Sequence, residues 1–291
     1  MKNLAGATAF ITGAAQGIGL GIARALARKG SKLALTDIDD TALALAAAEL
    51  SALTEVATFR LDVRDRAGYT RAADAAEERL GPVSVVCNNA GVAFSERLAD
   101  LAYELWDLAL GINLGGVVNG VQTFLPRMLD RGAPGHIVNT ASAAGLIGAG
   151  VGPMYTASKF AVVGLSESLR AQLEAGGHPI GVTALCPGGV TTNVARTGRD
   201  LVAAQPGTGP ALERTRARAD ELAPAIEATL SRYGVAPDAV GELVVEAIKA
   251  DRPYVLTDRA GLGLITARTE AILAAMPATD PAAEGFTGFG S

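Results

Sequence analysis

The sequence contains few of the residues that bind metals or form disulfides. It has two cysteines and two histidines in 291 residues. His136 and His178 have no cysteine or carboxylate around them at metal-ligand spacing, which argues against a zinc site, and no Ser-His-Asp hydrolase can be assembled convincingly. Cys87 and Cys186 each end an apolar run typical of a buried strand, so we expect two reduced core thiols.

The chain also lacks basic clusters and long apolar runs. Its net charge is -5 and its pI about 5.2, with no block of lysines and arginines, which argues against nucleic acid as a partner. No uncharged apolar run reaches the roughly eighteen residues of a membrane span, and the first residues do not have the pattern of a signal peptide. We therefore expect a cytoplasmic protein that has no membrane partner and binds a small molecule.

What the sequence does contain is an alternation of strand-like and helix-like segments. The apolar runs of strand length are 8–11, 33–36, 56–61, 83–87, 136–139 and 181–185. Between them lie segments of helical pattern at 17–29, 41–53, 69–80, 103–129 and 155–175. Such a βαβ series predicts an α/β fold, a doubly wound parallel sheet with helices on both faces, and a ligand crevice at the carboxyl ends of the strands. We expect one domain over residues 1–291.

The regular alternation ends after the sixth strand-like run. Residues 193–235 are rich in glycine, proline and charge, with a helical piece at 211–230, and a long excursion after a strand end is typical of a substrate lid. A helix is predicted at 237–250 and a last edge strand at 254–257. The segment 277–291, rich in Pro, Ala and Gly, is predicted to be a mobile tail or to lie on a neighbouring subunit.

A glycine-rich turn joins the first strand to the first helix. Its glycines are Gly13, Gly17 and Gly19, spaced G-x-x-x-G-x-G, and they let the backbone approach a pyrophosphate at the helix N-terminus. Asp37 ends the second strand, where a carboxylate binds the adenosine ribose hydroxyls and repels a 2'-phosphate. Gln16 and Ile38 stand where an arginine would hold that phosphate, so NAD is predicted over NADP. The alternative for Asp37 is a solvated acid or a helix cap, although Asp39 or Asp40 is the better cap.

Tyr155 and Lys159 are four residues apart in a helical segment, and Ser142 lies upstream. A phenol has a pKa of about 10, too high for a base near neutrality. A positive charge about 4 Å away, at an effective dielectric of about 20, favours the phenolate by roughly 4 kcal/mol before desolvation subtracts its share. We therefore expect Lys159 to lower the pKa of Tyr155. Since this spacing also occurs by chance in many helices, the pair is informative only beside a cofactor site.

Further motifs follow in a fixed order: Asp62-Val63, Asn88-Asn89-Ala90-Gly91, Asn113 and the run from Pro187 to Thr192. With the glycine turn, Ser142, Tyr155 and Lys159, they make the chain, over roughly residues 5–195, resemble the short-chain dehydrogenase/reductase family. The resemblance implies a Rossmann sheet of about seven strands, NAD(P) binding and oxidation of an alcohol to a carbonyl.

The resemblance also implies roles for individual residues. Tyr155 would be the general base, Ser142 would hold the substrate oxygen, Lys159 would lower the tyrosine pKa and bind the nicotinamide ribose, and Asn113 would anchor a water that relays protons. The implied cofactor-binding residues are Gly13, Gln16, Gly17, Ile18, Gly19, Asp37, Ile38, Asp62, Val63, Asn89, Ala90, Gly91, Tyr155, Lys159, Pro187, Gly188, Val190 and Thr192. For Asn88 and Trp106 we favour a structural role.

The chain differs from the family pattern at its C-terminal end, where residues 251–258 lead into another helix-like stretch. This difference puts the family's tetramer packing in doubt, while a dimer through the helices starting near 103 and 155 remains expected. The partners predicted are thus a small alcohol or ketone and further copies of the chain, as a homodimer or homotetramer.

The lid-like stretch and the C-terminal segment are similar to a bacterial subgroup that includes Cα-dehydrogenases of lignin-derived β-aryl ethers, which oxidise a benzylic alcohol with NAD. The candidate substrate-pocket residues, mostly apolar, are Ala144, Leu146, Ile147, Val151, Met154 and Asn193. Two alternatives are an NADPH-dependent carbonyl reductase of acyl-carrier or steroid type and a non-catalytic regulator that senses a dinucleotide.

Overall fold

Parallel strands form the central sheet of the computed structural model, which describes residues 1–93, 97–148, 152–207 and 209–277. The strands found there are β1 Thr8–Thr12, β2 Lys32–Asp37, β3 Val56–Arg60, β4 Val83–Asn88, β5 Gly135–Thr140, β6 Ile180–Cys186 and β7 Tyr254–Leu256. Their order is β3-β2-β1-β4-β5-β6-β7, and all neighbours are parallel. The predicted doubly wound sheet of Rossmann type is confirmed, with its change of winding direction between β1 and β4.

Helices cover both faces of the sheet. They are α1 Gly17–Arg28, α2 Asp40–Leu50, α3 Arg66–Leu80, α4 Tyr103–Leu110, α5 Gly116–Arg131, α6 Pro153–Ala175, α7 Val194–Ala203, α8 Pro210–Tyr233, α9 Pro237–Ala250 and α10 Leu262–Ala274. Proline occupies the first turn of α6, α8 and α9, where its missing N–H costs nothing. No residue of α10 is buried, although Arg268 lies over the Phe160 ring at 5.0 Å from its centroid.

The core lies in two layers, one on each face of the sheet. The strands are buried on both sides, so consecutive residues point into different layers: Phe10 packs with Tyr69 and Phe124, while Ile11 packs with Ile22. This arrangement explains why the strands read as continuous apolar runs and not as alternating ones. Cys87 and Cys186 are buried free thiols, and burial raises the pKa of each to about 12.

The sequence predicts one helix over 103–129, but the structure divides this stretch. A π-helical turn, Gly111–Gly115, separates α4 from α5 and places Asn113 in the interior. The continuous stretch Tyr103–Arg131 also has the length and hydropathy of a membrane span, with 56% of its apolar window buried. Leu105, Leu108, Phe124 and Met128 of this stretch pack in the core, as expected for a core helix of a globular domain.

A chain of buried polar side chains crosses the sheet. The Tyr69 hydroxyl donates to Asn88 Oδ1 at 3.1 Å, and Asn88 Nδ2 donates to Asn139 Oδ1 at 2.9 Å. Asn139 Nδ2 in turn donates to Ser166 Oγ on α6 at 3.0 Å. Asn88 thus takes the structural role favoured from the sequence, and Trp106 packs partly buried against the core.

Candidate active site

A cleft opens at the carboxyl ends of the strands, where the loops after β1 to β6 meet the first turns of α7. Most of the predicted cofactor residues line it: Gly13, Gln16, Gly17, Ile18, Asp37, Ile38, Asp62, Val63, Asn89, Ala90, Gly91, Tyr155, Lys159, Pro187 and Thr192. Asn193, predicted for the substrate pocket, also lines it. The sequence did not single out the remaining lining residues, which are Leu61, Arg64, Val92, Ile112, Thr140, Ala141, Val194, Thr197 and Leu201. Several of them are apolar side chains that local sequence cannot distinguish from core.

Three predicted cofactor residues lie beside the cleft and not on its lining. Gly19 packs under the turn, Val190 is buried in the core layer of α1 and α9, and Gly188 N donates to Thr257 Oγ1 at 3.0 Å. These residues shape the loops that form the cleft. Their backbones determine the course of these loops, and none of the three residues lines the cleft.

The turn between β1 and α1 has the geometry that a phosphate group requires. Gly13 has a φ of +62°, a left-handed conformation that side chains disfavour. A Cβ on Gly19 would lie 2.0 Å from the Gly13 carbonyl oxygen, so only glycine fits there. Gln16 is the N-cap residue of α1, and its side chain makes no hydrogen bond to the first N–H groups of the helix. These N–H groups therefore remain available to an anion in the cleft.

Asp37 stands at the end of β2 on the same cleft. Its carboxylate accepts the Ala15 N–H at 3.1 Å and the Asp39 N–H at 3.2 Å. Burial raises the pKa of Asp37, while these backbone donors oppose the shift. The helix cap is Asp39, which accepts the Ala42 N–H at 3.0 Å, so the alternative reading of Asp37 as the cap of α2 is wrong.

A threonine and an asparagine join the loops beneath the cleft. Thr12 Oγ1 accepts the N–H groups of Asn89 and Ala90 at 2.9 and 3.0 Å, and Asn89 Nδ2 donates to the Thr12 carbonyl at 3.0 Å. Thr140 Oγ1 donates to Asn89 Oδ1 at 3.3 Å. The Asn89 side chain therefore holds three strand ends together. Thr12 was not predicted as a site residue, because a threonine at a strand end is common.

Tyr155, Lys159 and Ser142 meet at the inner end of the cleft. Tyr155 and Lys159 lie on the first two turns of α6, and Ser142 follows β5 and hydrogen-bonds the Tyr155 hydroxyl. Lys159 Nζ donates to the Thr140 carbonyl at 2.9 Å and lies 5.6 Å from the centroid of the Tyr155 ring. The phenol, the ammonium and the hydroxyl are thus brought together as predicted.

The electrostatics of this group differ from the prediction. Burial raises the pKa of Tyr155, and the Ser142 hydrogen bond only opposes that shift. Burial also lowers the pKa of Lys159 to about 8. The net pKa shift of Tyr155 is therefore upward, opposite to the one expected, because desolvation disfavours the phenolate. That Lys159 lowers the tyrosine pKa stays a prediction.

Asn113 is fully buried and holds the loop after β4 to α6. Its Oδ1 accepts the Val92 N–H at 2.8 Å, and its Nδ2 donates to the Val92 carbonyl at 3.0 Å and to Ser158 Oγ at 3.1 Å. Ser158 Oγ donates to the Tyr155 carbonyl at 2.7 Å. Both amide protons of Asn113 are thus used within the protein, and a water would have to bind elsewhere on this residue.

The predicted substrate-pocket residues are dispersed. Asn193 lines the cleft, and its Nδ2 donates to Gln16 Oε1 at 2.9 Å. Met154 is completely buried in the core, so its assignment to the pocket surface is wrong. Ala144 and Ile147 are nearly buried, Leu146 packs against the core, and Val151 lies outside the described residues.

The comparisons with known proteins agree with this geometry. A short chain dehydrogenase family model matches residues 7–201. The C alpha-dehydrogenase of Sphingobium sp. strain SYK-6 is 34% identical over 258 residues, 88% of this chain and 82% of the relative. The 1-deoxy-11-beta-hydroxypentalenate dehydrogenase of Streptomyces avermitilis is 40% identical, over 77% of this chain and 81% of the relative.

A solved structure extends the similarity to the whole fold. The short chain dehydrogenase/reductase from Burkholderia phymatum in complex with NAD has a TM-score of 0.84 and 35% sequence identity, covering 97% of this chain and 100% of its own. The sheet order, the glycine turn and the Ser-Tyr-Lys group all fit this similarity. The chain therefore belongs to the short chain dehydrogenase family of oxidoreductases.

Proposed function

We propose that this protein is an NAD-dependent dehydrogenase that oxidises a secondary alcohol to a ketone, with Tyr155 as general base. The observation that carries the proposal is that one cleft is lined both by Asp37 beside the glycine turn and by Tyr155 with Lys159. A dinucleotide bound in this cleft would have its adenosine end at the first group and its nicotinamide end at the second. The site thus has a place for the cofactor and an acid-base group for the alcohol.

NAD is favoured over NADP by the charges at the adenosine end. The Asp37 carboxylate lines the cleft after β2, where it would meet the adenosine ribose and repel a 2'-phosphate. Gln16 and Ile38, also on the cleft, offer that phosphate no cation. The Burkholderia phymatum relative with NAD bound supports the same choice.

The proposed chemistry divides between cofactor and protein. When bound, NAD would supply the acceptor for the hydride that leaves the alcohol carbon. Tyr155 takes the hydroxyl proton as the carbonyl forms, and Ser142 donates a hydrogen bond to the substrate oxygen. Lys159, whose Nζ lies 5.6 Å from the centroid of the Tyr155 ring, favours the phenolate while it is protonated, and with a pKa of about 8 it is mostly protonated at neutral pH.

A benzylic or similar apolar secondary alcohol is the proposed substrate class. Val92, Ile112, Val194 and Leu201 give the cleft an apolar lining, which suits an aromatic or aliphatic body and not a sugar. The similarity to the Sphingobium C alpha-dehydrogenase supports an aryl-ether alcohol within that class.

We propose that α7 and α8 act as the substrate lid. A Cβ on Gly198 of α7 would lie 2.0 Å from the Ala93 carbonyl oxygen, so the helix touches the loop after β4. The buried carboxylate of Asp100 pairs with Arg214 of α8 at 2.5 Å. These contacts tie α7 and α8 to the chain that follows β4, and the proposed lid would close over the cleft that Tyr155 lines. We further propose a homodimer through α4, α5 and α6, which light scattering of the purified protein would test.

The test is an absorbance assay at the wavelength of NADH with a panel of secondary alcohols that includes aryl ethers, steroids and hydroxyacyl esters. We expect NAD-dependent turnover of the aryl or aliphatic secondary alcohols, and little with NADP. A clear preference for NADP and carbonyl reduction would support the reductase alternative and refute the cofactor assignment. Dinucleotide binding without any turnover would support the regulator.

A further inference from the structure

The segment that follows β7 contacts the loop that follows β6, residues 187–192, which we call the β6 loop. The backbone N–H of Gly188 donates to Thr257 Oγ1 at 3.0 Å, and the Thr257 hydroxyl donates to Asp258 Oδ2 at 3.1 Å. A hydroxyl has one proton and two acceptor positions. Because Asp258 takes the proton of Thr257, the Thr257 oxygen is oriented to accept the Gly188 N–H.

This contact is close and well fixed. A Cβ built on Gly188 would lie 2.1 Å from Asp258 Oδ2, so a side chain at this position would displace the carboxylate. Asp258 Oδ1 accepts the Ala260 N–H at 2.9 Å, at the start of the chain that leads into α10. Both carboxylate oxygens are thus held, one by Thr257 and one by Ala260.

The β6 loop connects this contact to the acid-base group. Pro187 lines the cleft, and its carbonyl accepts the N–H of Ala143, the residue after Ser142, at 2.8 Å. Gly188 follows Pro187 directly, so its bond to Thr257 holds the cleft wall beside Ser142. In the sheet, β6 is four strands from β2, which ends at Asp37, roughly 19 Å at the usual strand spacing.

A separate anchor holds the second half of the β6 loop. The Gly189 carbonyl accepts the Val235 N–H at 2.9 Å, and the Thr191 N–H donates to the Val235 carbonyl at 3.0 Å. Thr191 Oγ1 also donates to the Leu230 carbonyl at 2.9 Å, at the end of α8. Among the residues that the structure describes, the acceptor for the Gly188 N–H is Thr257 Oγ1. Loss of that hydroxyl would therefore release the first half of the loop and leave the second half anchored.

We propose that Thr257 is a positioning residue for the nicotinamide half of the dinucleotide: it fixes Gly188, and with it the cleft wall that Pro187 forms. This inference rests on the proposed dinucleotide function. Hydride transfer requires the nicotinamide to lie against the alcohol, and so beside Ser142 and Tyr155. Thr257 lies beyond residues 7–201, which the family model matches, so the inference gives the C-terminal part of this chain a role in the site.

The experiment compares the binding of NADH with the binding of ADP-ribose, which keeps the adenosine, the pyrophosphate and the second ribose but has no nicotinamide. Dissociation constants are measured by calorimetry for the unaltered protein, Thr257→Val, Thr257→Ser and Thr269→Val. Valine keeps the shape of threonine without its hydroxyl, and serine restores the hydroxyl. Thr269→Val is the matched control, because that hydroxyl donates to the Ile265 carbonyl within α10 at 2.9 Å and does not line the cleft.

We expect Thr257→Val to bind NADH roughly 3- to 10-fold more weakly than the unaltered protein, the effect of about one hydrogen bond, and ADP-ribose with a change below about 2-fold. Thr257→Ser should bind NADH within about 2-fold of the unaltered protein, and Thr269→Val should bind both ligands as the unaltered protein does. An unchanged NADH affinity in Thr257→Val, or an equal weakening of both ligands, would overturn the inference. Failure of the unaltered protein to bind NADH would instead refute the proposed function.

Discussion

The hydroxyl of Tyr155 is the single group on which the proposed reaction depends most. Replacing Tyr155 by Phe removes the proton acceptor and leaves the ring, so kcat/KM for alcohol oxidation should fall by about 10²- to 10⁴-fold. The affinity for NADH, measured by fluorescence, should change less than about 2-fold. Tyr103→Phe is the matched control, since that side chain is 87% exposed and outside the cleft. Full turnover in Tyr155→Phe would exclude the tyrosine as base.

The pKa shift of Tyr155 predicts different pH dependences for the two directions. Oxidation needs the phenolate of Tyr155 and reduction needs the phenol. Because burial raises the pKa of Tyr155, the small phenolate fraction and with it the rate of oxidation should rise from pH 7 toward alkaline pH, while the phenol stays populated and the rate of reduction stays nearly constant. Measuring kcat/KM in both directions across that range tests the assignment. Parallel profiles would mean that another group transfers the proton.

Residue types and spacing predict the acid-base group, but not its environment. Ser142, Tyr155 and Lys159 are brought together as the motifs indicate. Arg64, Ile112 and Thr12 were missed because their roles depend on where loops distant in sequence meet. The direction of the Tyr155 pKa shift was wrong because the sequence contains no information on how deeply the pair is buried.

Among the helices and strands, the close packing of α7 against the loop after β4 gives the most specific prediction. Replacing Gly198 by Ala places a methyl group where the Ala93 carbonyl lies, so α7 must move away from the loop after β4. If α7 is part of the proposed lid, the KM for the alcohol should rise at least about 10-fold, because the displaced helix would no longer close over the cleft. The affinity for NADH should change much less.

The matched control for this substitution is Gly164→Ala in α6. A Cβ there meets no atom within 4 Å, so the change tests helix propensity without a clash. Steady-state kinetics on both variants separate the two effects. Equal KM values in Gly198→Ala and the unaltered protein would refute a lid role for α7.

The strands and helices can largely be predicted from the sequence, whereas irregularities within a helix cannot. Periodicity located the strands β1 to β6 within one or two residues, and α8 appears where a helical piece was expected. The break between α4 and α5 was missed, since a π-helical turn has the same composition as the helix around it. The mutual hydrogen bonds of Asn113 and Val92 fix that break, and these contacts are tertiary.

At the scale of the whole molecule, the burial of His136 leads us to predict that the protein loses stability in acid. It is completely buried, and its Nε2–H donates to Thr183 Oγ1 at 2.8 Å, because that hydroxyl donates in turn to the Arg252 carbonyl. Its Nδ1 has no hydrogen-bond partner among the described residues, and Asp251 lies 3.9 Å away. Burial lowers the pKa of His136 from 6.5 to about 3.

The folded pKa is below the unfolded one, so the unfolded chain binds more protons between pH 6.5 and about 3. The free energy of unfolding therefore falls as pH drops through that window. At about pH 4.5 the contribution of His136 to this loss should be roughly 2–3 kcal/mol. His136→Gln keeps a hydrogen-bond donor for Thr183 but does not titrate. Between neutral pH and pH 4.5, its free energy of unfolding should therefore fall by roughly 2–3 kcal/mol less than that of the unaltered protein. Urea unfolding at both pH values measures the difference, and equal losses would contradict the assignment.

The overall architecture follows from the sequence because many local patterns agree with one topology. Alternating strand and helix signals, a glycine turn after β1 and a carboxylate after β2 are each weak, but only a doubly wound sheet accommodates all of them. The assembly of subunits is different. The exposed apolar side chains of α10, for example, carry no local pattern that identifies a partner.

The hydrogen bond between Asn88 and Asn139 also has a consequence for how the chain finds its fold. These residues stand directly opposite each other where β4 pairs with β5. If β5 slipped by one residue along β4, both amides would remain in the interior without their partners, at a cost of about 1–3 kcal/mol for each unpaired group. Apolar strands such as these would otherwise tolerate misalignment, because valine and isoleucine pack almost equally well in neighbouring positions. The two asparagines therefore specify the register of β4 and β5. The same register also sets the relative positions of the loops that carry Asn89 and Ser142.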